Sequence, residues 1–300
     1  MSHELKPGEK RQKDEGESHR LNLQEGQEPC GRARLEPGLI APGRPHYRAS
    51  MNDTKFGQFC ADPVAYLAGK KFEIQTMAGE QGILRQENLR VGDTTVKVKQ
   101  FQALQRCKTM YLLDRVRNGT GEVYVAKDPE ASSRQLLGYY LPWASDEAHV
   151  MQLDNLKGVD FFVTARLNGC CVFVNGGRNA PVVIHSNVQT DELATTQEKD
   201  ESYAEYSLRT AKHKMKVWNK LYYSLGMRLI DAFYLDNDAP LSAFEPAIYQ
   251  SKLGEMARVF GIKQGGEWSL YYIMDTLTPT RGGYTPGTKA GRLWPTLDQP

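Results

Sequence analysis

The sequence contains little cysteine and no arrangement of residues typical of a metal or nucleotide site. Its five cysteines are odd in number and scattered over 300 residues: Cys30, Cys60, Cys107, Cys170 and Cys171. Adjacent cysteines rarely bridge to each other, because the resulting ring is strained. Cys-x-x-Cys, His-x-x-x-His, Gly-x-Ser-x-Gly and the nucleotide-binding glycine fingerprint are all absent. We therefore expect no disulfide framework, a reducing compartment, no metal and no cofactor.

Long apolar runs and a surplus of one charge are absent as well. Lys and Arg number 38 against 36 Asp and Glu, for a net charge of +2, and no basic stripe interleaved with aromatic residues follows the chain. These features speak against a nucleic-acid partner. No apolar run approaches a membrane span, and residues 1–30 lack the hydrophobic segment of a secretory signal peptide. We expect a soluble monomer that, if it leaves its cell, does so through a dedicated secretion system.

Composition divides the chain near residue 50. Residues 1–50 are rich in Gly, Pro, Glu, Lys and Arg and poor in apolar residues, so they cannot bury enough surface to offset the entropy cost of ordering. The sequence predicts a disordered tail over 1–50 and one catalytic domain over 51–300. Met51 as an internal start and the tail as a secretion address remain alternatives.

Hydrophobic patterning predicts an α+β fold, with strands first and helices packed against the sheets later. The spacing indicates strands at 72–76, 94–98, 122–126, 136–143, 159–164, 171–174, 182–185 and 268–276. It indicates helices at 63–68, 203–233 and 242–260, with Gly226 a candidate break and Ser242 to Glu245 spaced as a capping box. Residues 278–300 are rich in Gly and Pro and are predicted to be irregular.

Several polar and aromatic residues are assigned to packing or solvent. A stripe on the long predicted helix has the spacing of a buried helix face: Ala211, Met215, Trp218, Tyr222, Leu225 and Leu229. The two remaining histidines of the domain, His149 and His213, lie in polar contexts that indicate solvation.

The stretch VDFFVTARLNGCCVFVNGGRNAPVVIHSN, residues 159–187, contains a candidate nucleophile and base. Buried cysteines are mostly inert, and a histidine at the end of a strand is usually structural. A cysteine that acts as a nucleophile needs a nearby histidine, a lowered thiol pKa and backbone N–H donors for the oxyanion, and this stretch can supply them. Gly169 permits a tight turn before Cys170. If 171–174 and 182–185 are antiparallel neighbours, His185 returns to the level of Cys170, and Cys171 points to the opposite face.

Leu167-Asn168-Gly169-Cys170 resembles the Leu-Ser-Gly-Cys motif of the bacterial glutamine deamidase toxins, the group of Burkholderia lethal factor and the cytotoxic necrotizing factors, to which the chemotaxis deamidase CheD is related. Thr164 stands six residues before Cys170, as the orienting threonine does in that group. The resemblance covers roughly residues 139–186. It departs from the family in Asn168, which replaces Ser, and in a longer loop between the cysteine and the histidine.

The resemblance implies a sandwich of mixed β-sheets flanked by helices and a cysteine-dependent protein-glutamine deamidase. It implies that Cys170 is the nucleophile, His185 the base, Thr164 the group that orients it, and the backbone amides of Gly169 and Cys170 the oxyanion donors. The target would be a host regulatory protein presenting a Gln side chain, such as a translation initiation helicase or a Rho GTPase, with a chemoreceptor as a third candidate. The protein would then act as a toxin or effector in the host cytosol. A transglutaminase with the same site and an inactive binding module remain alternatives.

Overall fold

A computed structural model describes residues 51–77, 81–130, 133–188, 190–233, 241–249, 256–280 and 283–295. All of the described residues belong to one compact unit, and the first of them is Met51. The predicted disordered tail over 1–50 therefore lies outside the described residues.

The described residues form fourteen strands in two sheets. In chain order the strands are β1 (Lys71–Ile74), β2 (Ile83–Val91), β3 (Thr94–Phe101), β4 (Cys107–Arg117), β5 (Thr120–Ala126), β6 (Arg134–Leu141), β7 (Glu147–Gln152), β8 (Val159–Thr164), β9 (Cys171–Asn175), β10 (Val182–Asn187), β11 (Ser242–Phe244), β12 (Ala257–Gln264), β13 (Glu267–Thr280) and β14 (Gly283–Trp294). One sheet has the order β1-β5-β4-β6-β8-β12-β13-β14, and the other has the order β11-β9-β10-β7-β3-β2. Both sheets contain parallel and antiparallel pairs, so both are mixed.

Four α-helices lie among the described residues, α1 (Asp53–Ala61), α2 (Pro63–Tyr66), α3 (Tyr203–Phe233) and α4 (Pro246–Tyr249), together with two short 3-10 helices, Ala103–Arg106 and Asp191–Leu193. Side-chain caps define where the first two helices begin. The Asn52 side chain accepts the N–H of Lys55 at 2.9 Å, and the Asp62 side chain accepts the N–H of Ala65 at 3.0 Å. Each cap satisfies an N–H that the first helical turn leaves without a partner. No described helix combines the length and the apolar character needed to cross a membrane.

Three apolar clusters define the layers. The first lies between the two sheets, the second between the six-stranded sheet and α3, and the third between the eight-stranded sheet and the helices α1 and α2. Because both sheets are covered on both faces, the central strands contain consecutive buried apolar residues, as in 161–163 of β8 and 171–174 of β9. The predicted α+β class, a sandwich of mixed sheets flanked by helices, is confirmed.

The prediction of a helix over 242–260 is wrong. Residues Ser242–Phe244 instead add a short strand to the edge of the six-stranded sheet, pairing with β9, and the chain enters β12 at Ala257. Ser242 and Glu245 have the spacing of a capping box, but Pro246 disfavours a helical conformation at the residue before it. The only helix among the described residues of this stretch is the four-residue α4.

Two other local predictions are also wrong. Residues 283–294 are not irregular but form β14, which pairs with β13 at the sheet edge, where a proline such as Pro286 is tolerated. A side chain at Gly291 would meet the Tyr272 hydroxyl at 2.5 Å, so this glycine allows the tyrosine to lie across the strand. The prediction of a break at Gly226 is wrong as well, since α3 continues through it. The missing side chain of Gly226 instead makes room for Leu241 and Phe173.

Candidate active site

The pairing of β9 and β10 brings the predicted nucleophile and base to the same face of the six-stranded sheet. The two strands are antiparallel, and His185 lies opposite Val172. Cys170 precedes Val172 by two residues, and both belong to the cluster between the sheets. Cys170 directly precedes β9, so a continuation of the strand would make it a diagonal neighbour of His185, a relation in which long side chains reach each other.

Thr164 reaches His185 from the opposite sheet. It ends β8, and its Oγ1 lies 2.5 Å from His185 Nδ1 and 2.9 Å from the carbonyl oxygen of Leu141. A carbonyl oxygen can only accept, so the single hydroxyl proton of Thr164 goes to Leu141 and the oxygen accepts from Nδ1–H. This assignment leaves Nε2 of the neutral imidazole without a proton, which is the tautomer a general base requires.

Burial keeps both members of the pair uncharged. His185 is fully buried, and among the described residues its Nε2 has no hydrogen-bond partner. Burial, with a smaller contribution from nearby His149, lowers the pKa of His185 to about 3. Burial likewise raises the pKa of the Cys170 thiol to about 11. The lowered thiol pKa expected from the sequence is therefore wrong, because desolvation outweighs the opposing contact with the carbonyl oxygen of Asn168.

The site is closed in this structure. Cys170 is 2% exposed, and Thr164 and His185 have no exposed surface. The Cys170 Sγ does not hydrogen bond to His185 Nε2 and instead contacts the carbonyl oxygen of Asn168 at 4.0 Å. The structure thus places the three predicted side chains on facing sheet surfaces without forming the thiol–imidazole hydrogen bond.

Two tyrosines hold the backbone around the nucleophile. The Tyr222 hydroxyl donates to the carbonyl oxygen of Gly169 at 2.7 Å, and the Tyr249 hydroxyl donates to that of Cys170 at 2.6 Å. Gly169 has a φ of +80°, and a side chain there would lie 3.0 Å from Trp218. Sequence reasoning assigned Tyr222 to packing alone and missed Tyr249. For Tyr222 the sequence did contain an indication, because a tyrosine on the buried face of a helix usually has a hydrogen-bond partner for its hydroxyl.

His149 is buried, whereas its sequence context had indicated that it is solvated. It is fully buried and lies opposite His185 in the β7–β10 pair. Its Nδ1 is 3.0 Å from the carbonyl oxygen of Pro142 and its Nε2 is 2.7 Å from Glu147. Burial opposes the ionisation of Glu147, but hydrogen bonds from Lys99 and His149 hold its pKa at about 2. Polar residues can face this interior because they satisfy one another there.

The other candidate residues lie away from this arrangement. Cys171 is buried in the cluster against α3, on the face opposite to Cys170, as the strand alternation predicts. Cys60 and Cys107 are half-buried and form no disulfide. His213 is exposed, with its Nε2 2.5 Å from the carbonyl oxygen of Glu192. In the described part of the chain, no three His, Cys, Asp or Glu side chains are grouped so that they could hold a metal ion.

Comparison with known proteins assigns no family. No family model matches the sequence, and no curated protein matches it. Among solved structures, the chain is similar to the C-terminal domain of CNFy from Yersinia pseudotuberculosis, with 11% identity and a TM-score of 0.34 over 80% of this chain and 97% of that chain. At this level the likeness is too weak to serve as evidence for a shared fold or activity.

Proposed function

We propose that this chain is a cysteine-dependent protein-glutamine deamidase whose resting site is closed. The observation that carries the proposal is the hydrogen bond from His185 to Thr164 across the two sheets, which leaves Nε2 as an acceptor on the face that carries Cys170. A packing histidine has no need of one defined tautomer with an unpaired buried nitrogen, since that nitrogen costs free energy. A general base needs both features.

The neutral pair defines the order of the chemical steps. When a Gln side chain enters, Nε2 of His185 takes the Cys170 proton while Sγ attacks the carboxamide carbon, and the carbonyl electron pair moves to oxygen. The backbone amides of Gly169 and Cys170 would bind this oxyanion. Collapse of the intermediate breaks the C–N bond, and the proton on His185 leaves with the nitrogen as ammonia. Thr164 keeps the ring in position through both proton transfers.

The second half of the cycle restores the enzyme. His185 takes a proton from water as the water oxygen attacks the thioester, the C–S bond then breaks, and the sulfur recovers its proton from the imidazole. The net result is hydrolysis of one amide, with Glu and ammonia as products. By the family resemblance, the Gln belongs to a host regulatory protein such as a translation initiation helicase or a Rho GTPase, and the chain acts as a toxin or effector in the host cytosol.

One observation favours a second function. The missing hydrogen bond between Cys170 and His185, together with the burial of both, also fits a binding module in which the two side chains only pack. Closure accounts for the same facts if substrate binding opens the site, since catalytic hydrogen bonds are often long in a free enzyme. The two functions differ in whether any glutamine is ever converted.

The test is peptide mass spectrometry of a host lysate incubated with the full-length protein, together with measured ammonia release. Gln-to-Glu conversion should appear with the wild type and with Cys171→Ser, and should be absent with Cys170→Ser. Addition of a primary amine distinguishes a transglutaminase, which would join the amine to the same glutamine. Binding of a lysate protein without any conversion by the wild type would support the module instead.

A further inference from the structure

Tyr222 makes a contact that packing of α3 does not require. Its hydroxyl is buried and lies 2.7 Å from the carbonyl oxygen of Gly169, against 3.4 Å from that of Ser186. The N–H of Val188 donates to the same hydroxyl at 3.4 Å. A hydroxyl has one proton to donate, so the short contact identifies Gly169 as the acceptor.

This hydrogen bond fixes the direction of the next amide. In a planar trans peptide the N–H points away from the preceding C=O, and the carbonyl of Gly169 points at Tyr222 on α3. The N–H of Cys170 therefore points away from α3. The Cys170 side chain lies in the cluster between the sheets, whereas Tyr222 belongs to the cluster against α3. The amide and the thiol are consequently directed to the same side of the loop.

We propose that Tyr222 is a positioning residue for the oxyanion hole, because it holds the Gly169–Cys170 peptide with its amide towards the reacting carbonyl. The proposal rests on the nucleophilic role of Cys170 in the proposed function, but not on glutamine as the substrate. Glycine adopts positive and negative φ with similar ease, so the peptide after Gly169 has little intrinsic preference for this orientation. Loss of the Tyr222 hydroxyl frees it to rotate.

Two reactions of Cys170 separate this role from a structural one. With p-nitrophenyl acetate, His185 takes the thiol proton as Sγ attacks the ester carbonyl carbon, so that the C–S bond and an oxyanion form together. The oxyanion then collapses to the thioester as the C–O bond to p-nitrophenolate breaks. With iodoacetamide, Sγ displaces iodide from a saturated carbon and no oxyanion forms. Both reagents need the closed site to open, so the ratio of acylation to alkylation at Cys170 reports the oxyanion step alone.

The experiment measures both rates at Cys170 by peptide mass spectrometry, using the full-length protein. Tyr222→Phe should lower the acylation-to-alkylation ratio by about tenfold or more, because removal of one oxyanion donor costs about 100-fold to 1,000-fold and misdirection of a donor costs part of that. The matched control is Tyr206→Phe on the same helix, where the hydroxyl donates to the carbonyl oxygen of Thr195 at 3.0 Å. Its ratio should equal that of the wild type.

Three results would overturn the proposal. They are an unchanged ratio in Tyr222→Phe, a fall of both rates in parallel, which indicates a purely structural role, and a wild-type Cys170 that does not acylate at all. A wild-type protein that acylates at Cys170 but converts no glutamine would disprove the deamidase function while leaving the role of Tyr222 intact.

Discussion

Protonation of His185 links the stability of the fold to pH. The folded-state pKa is about 3, against 6.5 for an unperturbed histidine. Between these two values the unfolded chain binds a proton that the folded chain does not, so the free energy of unfolding falls as the pH falls through this window. Each pH unit is worth about 1.4 kcal/mol for one group. Because His185 is fully buried, solvent screening does not reduce this value, and acidification from near pH 6.5 to near pH 5 should cost about 2 kcal/mol.

The assay compares urea unfolding of the wild type and of His185→Gln, followed by tryptophan fluorescence near pH 6.5 and near pH 5. Glutamine stays neutral at both values and can still bond to Thr164. His149 also has a lowered pKa, but it is present in both proteins, so only its small coupling to His185 differs between them. Glu147 has a folded pKa of about 2 against 4.5, so the stability it provides is lost only below about pH 4.5. The wild type should therefore lose about 2 kcal/mol more than the variant.

Equal losses in the two proteins would refute the reasoning. They would show that the imidazole is solvated or paired with an acceptor in the folded state, and that Nε2 is not held as a free base. The slope of unfolding against urea must stay the same at both pH values, since a change in that slope would mean that acid has altered the unfolded or native ensemble instead.

The architecture could be predicted from the sequence where one local pattern determined the structure. The pair β9 and β10 follows from two short apolar runs joined by a loop of Gly, Asn and Pro residues. The buried face of α3 follows from its helical period. The failures at 242–260 and 283–294 lie at sheet edges, where a neighbouring strand determines the conformation and local signals are weak.

The site shows a different limit. The antiparallel pairing could place His185 near Cys170, because the two lie on adjacent strands. Thr164 could be assigned only through a family resemblance, because its contact with His185 crosses between two sheets. No spacing rule predicts such a contact. The raised pKa of the Cys170 thiol was missed for the same reason, since its burial comes from elements distant in the sequence.

Four further outcomes are expected. Cys170→Ser should abolish ammonia release while Cys171→Ser retains it, because the two side chains face opposite sides of β9; the reverse result would mean that the nucleophile is misassigned by one residue. Thr164→Val should lower kcat by at least about tenfold and Thr164→Ser should restore most of it, which steady-state kinetics at matched thermal stability will show. In the folded protein, iodoacetamide should label the two half-buried cysteines, Cys60 and Cys107, before Cys170, because their thiols have accessible surface and that of Cys170 has almost none. Tyr249→Phe should then speed the labelling of Cys170, since it removes the 2.6 Å hydrogen bond that ties α4 to the nucleophile's carbonyl. If Cys170 is labelled first in the wild type, the site is not closed in solution; if Tyr249→Phe leaves the labelling rate of Cys170 unchanged, the Tyr249 hydrogen bond does not help to keep it closed.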